Sequence, residues 1–159
     1  MGIDTFDVEK AAKMIEVNLT AGLRVTAAAL PLLERGNAPQ LALTASASAY
    51  RGLPRAIGYG ASKAGLYNLA ETLAVELAPR GIDVRVVNPG FVRTRLTSMN
   101  DFRMPDMIEP EAAARAMRDG LASRRFHIRF PKRFTGLLAA ARILPSRWWL
   151  ALSAGLVKG

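Results

Sequence analysis

The stretch Tyr59-Gly60-Ala61-Ser62-Lys63 decides how this chain reads, together with Ser46, thirteen residues ahead of Tyr59. A turn-rich segment from Ala47 to Gly58 gives way here to an apolar-periodic run, Ala61 to Leu77, whose spacing predicts a helix. Positions four apart on a helix lie one turn apart on the same face, so the Tyr59 hydroxyl and the Lys63 ammonium can enter one cleft. A phenol titrates near ~10 in water, too high for efficient proton transfer at neutral pH. A fixed cation beside it stabilises the phenolate and lowers that value, which makes Tyr59 a candidate general acid or base. Ser46 follows the apolar run Leu41-Ala42-Leu43-Thr44. That places it at the carboxyl end of a strand, the edge where open α/β sheets hold their ligands.

A bare Y-x-x-x-K is weak on its own, since many solvated helices carry one by chance. Its company is more specific. Val17-Asn18-Leu19 stands upstream, Ala64 and Ala74-Val75-Glu76-Leu77 follow, and then come Gly81-Ile82-Asp83-Val84-Arg85-Val86-Val87-Asn88-Pro89-Gly90 and Thr94. In this order and spacing the chain resembles the classical short-chain dehydrogenase/reductase family from about Asp7 to Phe130. The resemblance implies an NAD(P)-dependent oxidoreductase that moves a hydride between nicotinamide and a carbonyl or alcohol. It implies that Tyr59 exchanges the proton and that Lys63 holds the nicotinamide ribose and acidifies Tyr59. It further implies that Ser46 hydrogen-bonds the substrate oxygen and that Asn18 supports a water relay near Lys63. Pro89, Gly90, Val92 and Thr94 match the segment that contacts the nicotinamide end of the cofactor.

The 159 residues suit one domain, and half of them are apolar, enough for a core. Cysteine is absent, which excludes disulfides, thiolate metal sites and a thiol nucleophile and suits a reducing cytoplasm. Met1 to Thr5 carries no signal-peptide pattern. The net charge of +9 is uneven: Asp119 is the last acidic residue, and eight basic residues follow it. Basicity therefore belongs to the tail and not to the part that bears Tyr59; a nucleic-acid footprint would need a basic stripe on one face with base-stacking aromatics, and on the charge argument no nucleic-acid partner is expected.

Asp7 is a reasonable N-cap for a first helix, and Val8, Ala12, Ile15, Leu19, Leu23, Ala27 and Leu30 form one apolar stripe running to about Gly36. Asn18 lies within it, either as a solvated amide or in the role the resemblance gives it. A strand follows over 40–45, then the loop from Ser46 to Gly58, in which Ser48 reads as a loop hydroxyl and Arg51 and Arg55 as solvent-facing. A second helix spans about 58–77, with Tyr67 as a packing residue. A β-branched strand covers 82–88, and the chain should turn sharply at Pro89-Gly90. Phe91 to Ile108 lacks a period and is rich in Met and Phe. It is either a self-packed surface loop or a mobile lid suited to a lipophilic substrate. A third helix starts at Pro110, and a strand over 126–130 carries the lone His127, which reads as structural or solvent-facing because a metal site needs several ligands. No metal site is expected.

The expected fold class is thus α/β: the C-terminal part of a Rossmann-like, doubly wound parallel sheet, with about three strands and three main helices. Residues 1–131 form this partial catalytic domain, and 132–159 form a basic, amphipathic helical tail broken by Pro145. That tail could lie on an anionic membrane surface, cover the core, or meet a partner subunit. The chain has no G-x-x-x-G-x-G turn to cradle a pyrophosphate and no residue that selects NAD over NADP, although NADP is favoured. Read so, the chain lacks the cofactor-binding half, and the first strand loses its usual neighbour and bares an edge. Three functions stay open: an oxidoreductase whose isolated chain is inactive, a non-catalytic module that pairs with a second copy through helices 7–35 and 58–77, and a membrane-surface protein.

Overall fold

A computed structural model describes residues 1–99 and 104–156. Three parallel strands, β1 (Gln40–Thr44), β2 (Asp83–Pro89) and β3 (His127–Phe130), form one sheet in the order β1-β2-β3. Gln40 stands beside Asp83 and Thr44 beside Val87, while Val86 pairs with His127 and Pro89 with Phe130. Among the described residues β1 pairs on one side only, with β2.

Adjacent strand residues face opposite sides of a sheet, and β2 shows what that demands. Val86 packs with Leu43, Leu66, Tyr67 and Ala70, and Val87 packs with Ala113, Ile128 and Phe130. Helix α3 (Ile57–Leu77) covers the first face and α4 (Pro110–Leu121) the second. A strand enclosed on both sides needs apolar residues without alternation, which is why Val84, Val86 and Val87 read as a run. The result is a small α/β, Rossmann-like fold. Helix α3 ends through a short 3-10 turn at Gly81, whose φ of 70° lies in the left-handed region open to glycine.

The first helix departs from expectation. It divides into α1 (Val8–Ile15), a π-helical turn (Glu16–Thr20) and α2 (Ala21–Leu33). The wider turn inserts a residue and rotates everything after it, so no single stripe is buried. Ala11 and Thr26 are the buried positions, while Val8, Ile15 and Leu23 of the expected stripe are exposed. Only Leu19 and Leu30 of that stripe pack against core clusters.

Two other expectations change in detail. Pro89 continues β2, and the Gly90 N–H still donates to the Phe130 carbonyl, so the sharp turn comes later. The ends of the Phe91–Ile108 segment are stitched together: Arg93 donates to the Ile108 carbonyl and Ile108 to the Phe91 carbonyl. Phe102 of this segment and Lys158 of the tail lie outside the described residues. The tail itself forms α5 (Lys132–Ala140) and α6 (Ser146–Ala154), and Leu138, Ala141 and Trp149 join the cluster of Leu43, Ala45 and Val86. Arg51 does not simply face solvent. Its guanidinium donates to the carbonyls of Ala141 and Leu144 and ties the loop after β1 to the tail.

Candidate active site

Lys63 occupies the second turn of α3 and reaches across to β1, where its ammonium donates to the Thr44 carbonyl over 2.9 Å. The same ammonium lies 5.8 Å from the centre of the Tyr59 ring, within cation–π range. Spacing four apart does what the helix requires, and the strand end fixes the cation. Partial burial holds the Lys63 pKa below the usual lysine value. Tyr59 itself remains 41% exposed, open to a partner from solvent.

Ser46 stands two residues beyond Thr44 and is nearly buried. Its hydroxyl oxygen accepts the Ser48 N–H and caps the short 3-10 turn Ala47–Ala49. Asn18 sits in the π-helical turn and donates its side-chain amide to Ser62 Oγ over 3.1 Å. Ser62 in turn donates to the Tyr59 carbonyl at 2.8 Å. Asn18 therefore supports the backbone beneath Tyr59 through Ser62, a residue the sequence reading passed over. Ser62 is fully buried, and the one hint was its place among the small residues Gly58, Ala61 and Gly65, spaced three or four apart, that let another helix approach.

The remaining candidates lie at the end of β2, where Pro89 is its last residue, and just past it. A side chain at Gly90 would meet Phe134 at 3.0 Å and Pro131 at 3.1 Å, so close packing of α5 alone already calls for glycine there. Val92 bridges to Ile108 and packs with the Val87 cluster. Thr94 bonds with Thr97 in an exposed turn. Two grooves lie away from Tyr59 and Lys63. One, lined by Gly81, Asp83 and Arg124, sits at the amino end of β2, opposite the edge where α/β sheets bind ligands. The other runs beside β3 and α4.

A second polar cluster escaped the sequence reading because its members are far apart in the chain. The Tyr67 hydroxyl bonds with His127 Nε2, and Arg142 from the tail donates to the same hydroxyl. Burial pushes the Tyr67 pKa up to about 12 and holds that of His127 below its ordinary value. This is packing chemistry, in line with the structural reading of both residues. Tyr50 crosses Tyr67 edge to face at 5.7 Å, and burial raises its pKa too. Asn88, fully buried near the end of β2, makes no side-chain hydrogen bond of good geometry among the described residues, although its side chain lies close enough to the Tyr50 hydroxyl to lower that group's pKa slightly against the effect of burial.

Residues 2–103 match the family model described as short chain dehydrogenase. The chain belongs to that family. An uncharacterized oxidoreductase of Myxococcus xanthus is 31% identical over 138 residues, covering 87% of this chain and 54% of the relative. The 3-oxoacyl-[acyl-carrier-protein] reductase MabA of Mycobacterium tuberculosis is 33% identical over 96 residues, 60% of this chain and 39% of that protein. A short chain dehydrogenase from Burkholderia cenocepacia, solved in complex with NADP, superposes with a TM-score of 0.83 at 25% identity, covering 95% of this chain and 62% of that one. One from Sphingobium yanoikuyae in complex with NADPH gives a TM-score of 0.73, also at 25% identity, over 99% and 59% of the two chains. The chain spans 54% of the length of the Myxococcus relative and 39% of that of the Mycobacterium relative.

Proposed function

We propose that this chain carries the proton-transfer side of an NAD(P)-dependent carbonyl or alcohol oxidoreductase, with Tyr59 as general acid or base. The observation that supports the reading most directly is the Lys63 ammonium, held by the Thr44 carbonyl and lying 5.8 Å from the Tyr59 ring centre. Bound nicotinamide supplies or accepts the hydride. In reduction, Tyr59 gives its proton to the carbonyl oxygen, and Lys63 places positive charge beside the phenolate left behind. Ser46 hydrogen-bonds the same substrate oxygen, and Asn18 steadies the turn bearing Tyr59 while serving a water relay toward Lys63. Pro89, Gly90, Val92 and Thr94 line the nicotinamide end. NADP is favoured over NAD because the Burkholderia and Sphingobium structures, which superpose with the higher TM-scores, hold NADP and NADPH, while a 4-hydroxyisoleucine dehydrogenase at 0.63 holds NADH. The Met- and Phe-rich segment after Gly90 suits a lipophilic substrate, and we place the protein in the cytoplasm.

The donor set fits the nicotinamide ribose, but these 159 residues contain no glycine-rich turn for the pyrophosphate. By itself the chain binds NADPH weakly and turns over slowly. NADPH fluorescence titration giving micromolar affinity would refute that. With excess NADPH and lipophilic ketones, Tyr59→Phe should lower the rate by about 10²-fold or more, and equal rates would exclude Tyr59 as the acid.

A second reading, an assembly module that pairs with another copy, draws on the exposed apolar residues Val17, Val25 and Leu32 around α1 and α2 and Val75 on α3. No detectable turnover together with a dimer in sedimentation, lost in Val75→Asp, would favour it.

A further inference from the structure

A helix whose outer side faces water carries polar residues there, but the outer side of α6 is mostly apolar. Its inward face is fixed by Trp149 and Ser153, which are buried, with the Trp149 indole N–H donating to the Gly52 carbonyl at 3.0 Å. The outward arc consists of Trp148, Leu150, Ala151, Leu152 and Ala154, all exposed, with Ser146 and Arg147 as its polar members. Trp148 is 61% exposed and Leu152 64%, and they lie one turn apart on the same side. Ile143, just before the helix, is 87% exposed. On α5, Arg133 and Leu137 are likewise one turn apart and exposed. Monomeric proteins do not usually leave a whole helix face of this kind in water.

The tail contributes charge of one sign, and the carboxylates recorded against it come from other segments: Asp106 accepts the Phe134 N–H at the start of α5, and Glu71 pairs with Arg142. After Asp119 the sequence has no acidic residue. Lys132, Arg133 and Arg147 are exposed among the apolar residues, and the Arg147 guanidinium lies 5.8 Å from the Trp148 ring. Apolar side chains for the acyl boundary, a Trp at the headgroup level and cations for lipid phosphates are the requirements of an interfacial helix. No described helix is long and apolar enough to cross a membrane. A nucleic-acid surface would instead need the basic groups to dominate the contact face.

We infer that α5 and α6 dock on an anionic lipid surface, with Trp148 and Leu152 entering the headgroup–acyl boundary and Arg147, Lys132 and Arg133 meeting the headgroups. The seat is rigid because Trp149 and Arg51 fasten the tail to the loop after β1. The docking itself does not depend on the redox reading.

The 159-residue chain is mixed with vesicles of phosphatidylcholine containing phosphatidylglycerol, and with phosphatidylcholine alone, and then sedimented. Binding should need the anionic lipid, weaken with added salt, and shift the tryptophan emission to shorter wavelength. Trp148→Ser combined with Leu152→Ser should lower binding about 10-fold or more while leaving the circular dichroism spectrum unchanged, because both residues are exposed. Three outcomes would overturn the inference: no sedimentation with anionic vesicles, equal binding by the double variant, or a dimer that the double variant abolishes without any lipid effect. The last would show that a second copy covers this face.

Discussion

Asn18 and Ser62, forty-four residues apart in the chain, are joined by one hydrogen bond of 3.1 Å, and it links the π-helical turn to the floor of the Tyr59 turn. Ser62 is fully buried and also donates to the Tyr59 carbonyl, so Ser62→Ala removes two hydrogen bonds while Asn18→Ala removes one. Asn18→Ala and Ser62→Ala should each cost about 1 kcal/mol or more in urea unfolding. The double variant should cost less than the sum, with a coupling of about 0.5–1.5 kcal/mol. Strict additivity would mean the bond contributes nothing. If Asn18 also positions Tyr59, its loss should lower turnover without weakening cofactor binding to the same degree.

The approach of α1 and α2 to α3 rests on missing side chains, and the positions differ in what a methyl would strike. At Gly58 a Cβ would come within 2.9 Å of the Ala11 Cα, a backbone atom that cannot step aside. At Gly65 it would meet the far end of Leu19 at 2.7 Å, which can rotate. Alanine also gains roughly 1 kcal/mol of helix propensity over glycine. Gly65→Ala should therefore lie near neutral, while Gly58→Ala should destabilise by about 1–3 kcal/mol. Thermal melts of the two variants side by side check the ordering.

These contacts show how much a single sequence discloses. The β2 run and the long helix after Gly58 were legible because strand and helix burial impose local periods. The Tyr59–Lys63 pairing was legible because both lie on one helix, a turn apart. The first helix was misjudged for a local reason with no local signal: one wide turn at Glu16–Thr20 rotates the stripe, and nothing in Val17-Asn18-Leu19 announces it. Ser62, Arg51 and the Tyr67–His127–Arg142 cluster were invisible for a different reason. Their partners come from segments that meet only when α3, β3 and the tail pack together.

That cluster makes stability depend on pH in a predictable direction. His127 faces the Tyr67 hydroxyl, with Glu71, Arg142 and Arg129 as the surrounding charges, and burial holds its pKa below 6.5. Between that lowered value and about 6.5 the unfolded chain binds a proton that the folded chain refuses. The contribution is complete above about pH 6.5 and is lost as pH falls through this window. Because His127 is the only histidine, urea midpoints should decline from about pH 7 to about pH 5.5, and His127→Gln should flatten the slope. An unchanged slope in that variant would place the proton uptake elsewhere.

Whether the tail folds with the sheet or merely lies beside it can be read from Trp149. Its side chain is 6% exposed among core residues that include Val86 and Leu138, and its indole N–H bonds to the Gly52 carbonyl. Trp149→Phe keeps most of the apolar contact and should cost about 1 kcal/mol for the lost hydrogen bond. Trp149→Ala leaves a cavity beneath the loop after β1 and should cost about 3–5 kcal/mol. Hydrogen exchange locates the effect. If sheet and tail are one cooperative unit, Trp149→Ala should speed exchange of the β2 amides by the same free energy that it removes from global unfolding. Unchanged β2 protection beside a loosened tail would mean that α5 and α6 open on their own. In that case Arg51, bonded to Ala141, would be the hinge pin whose removal by Arg51→Ala reproduces the same opening.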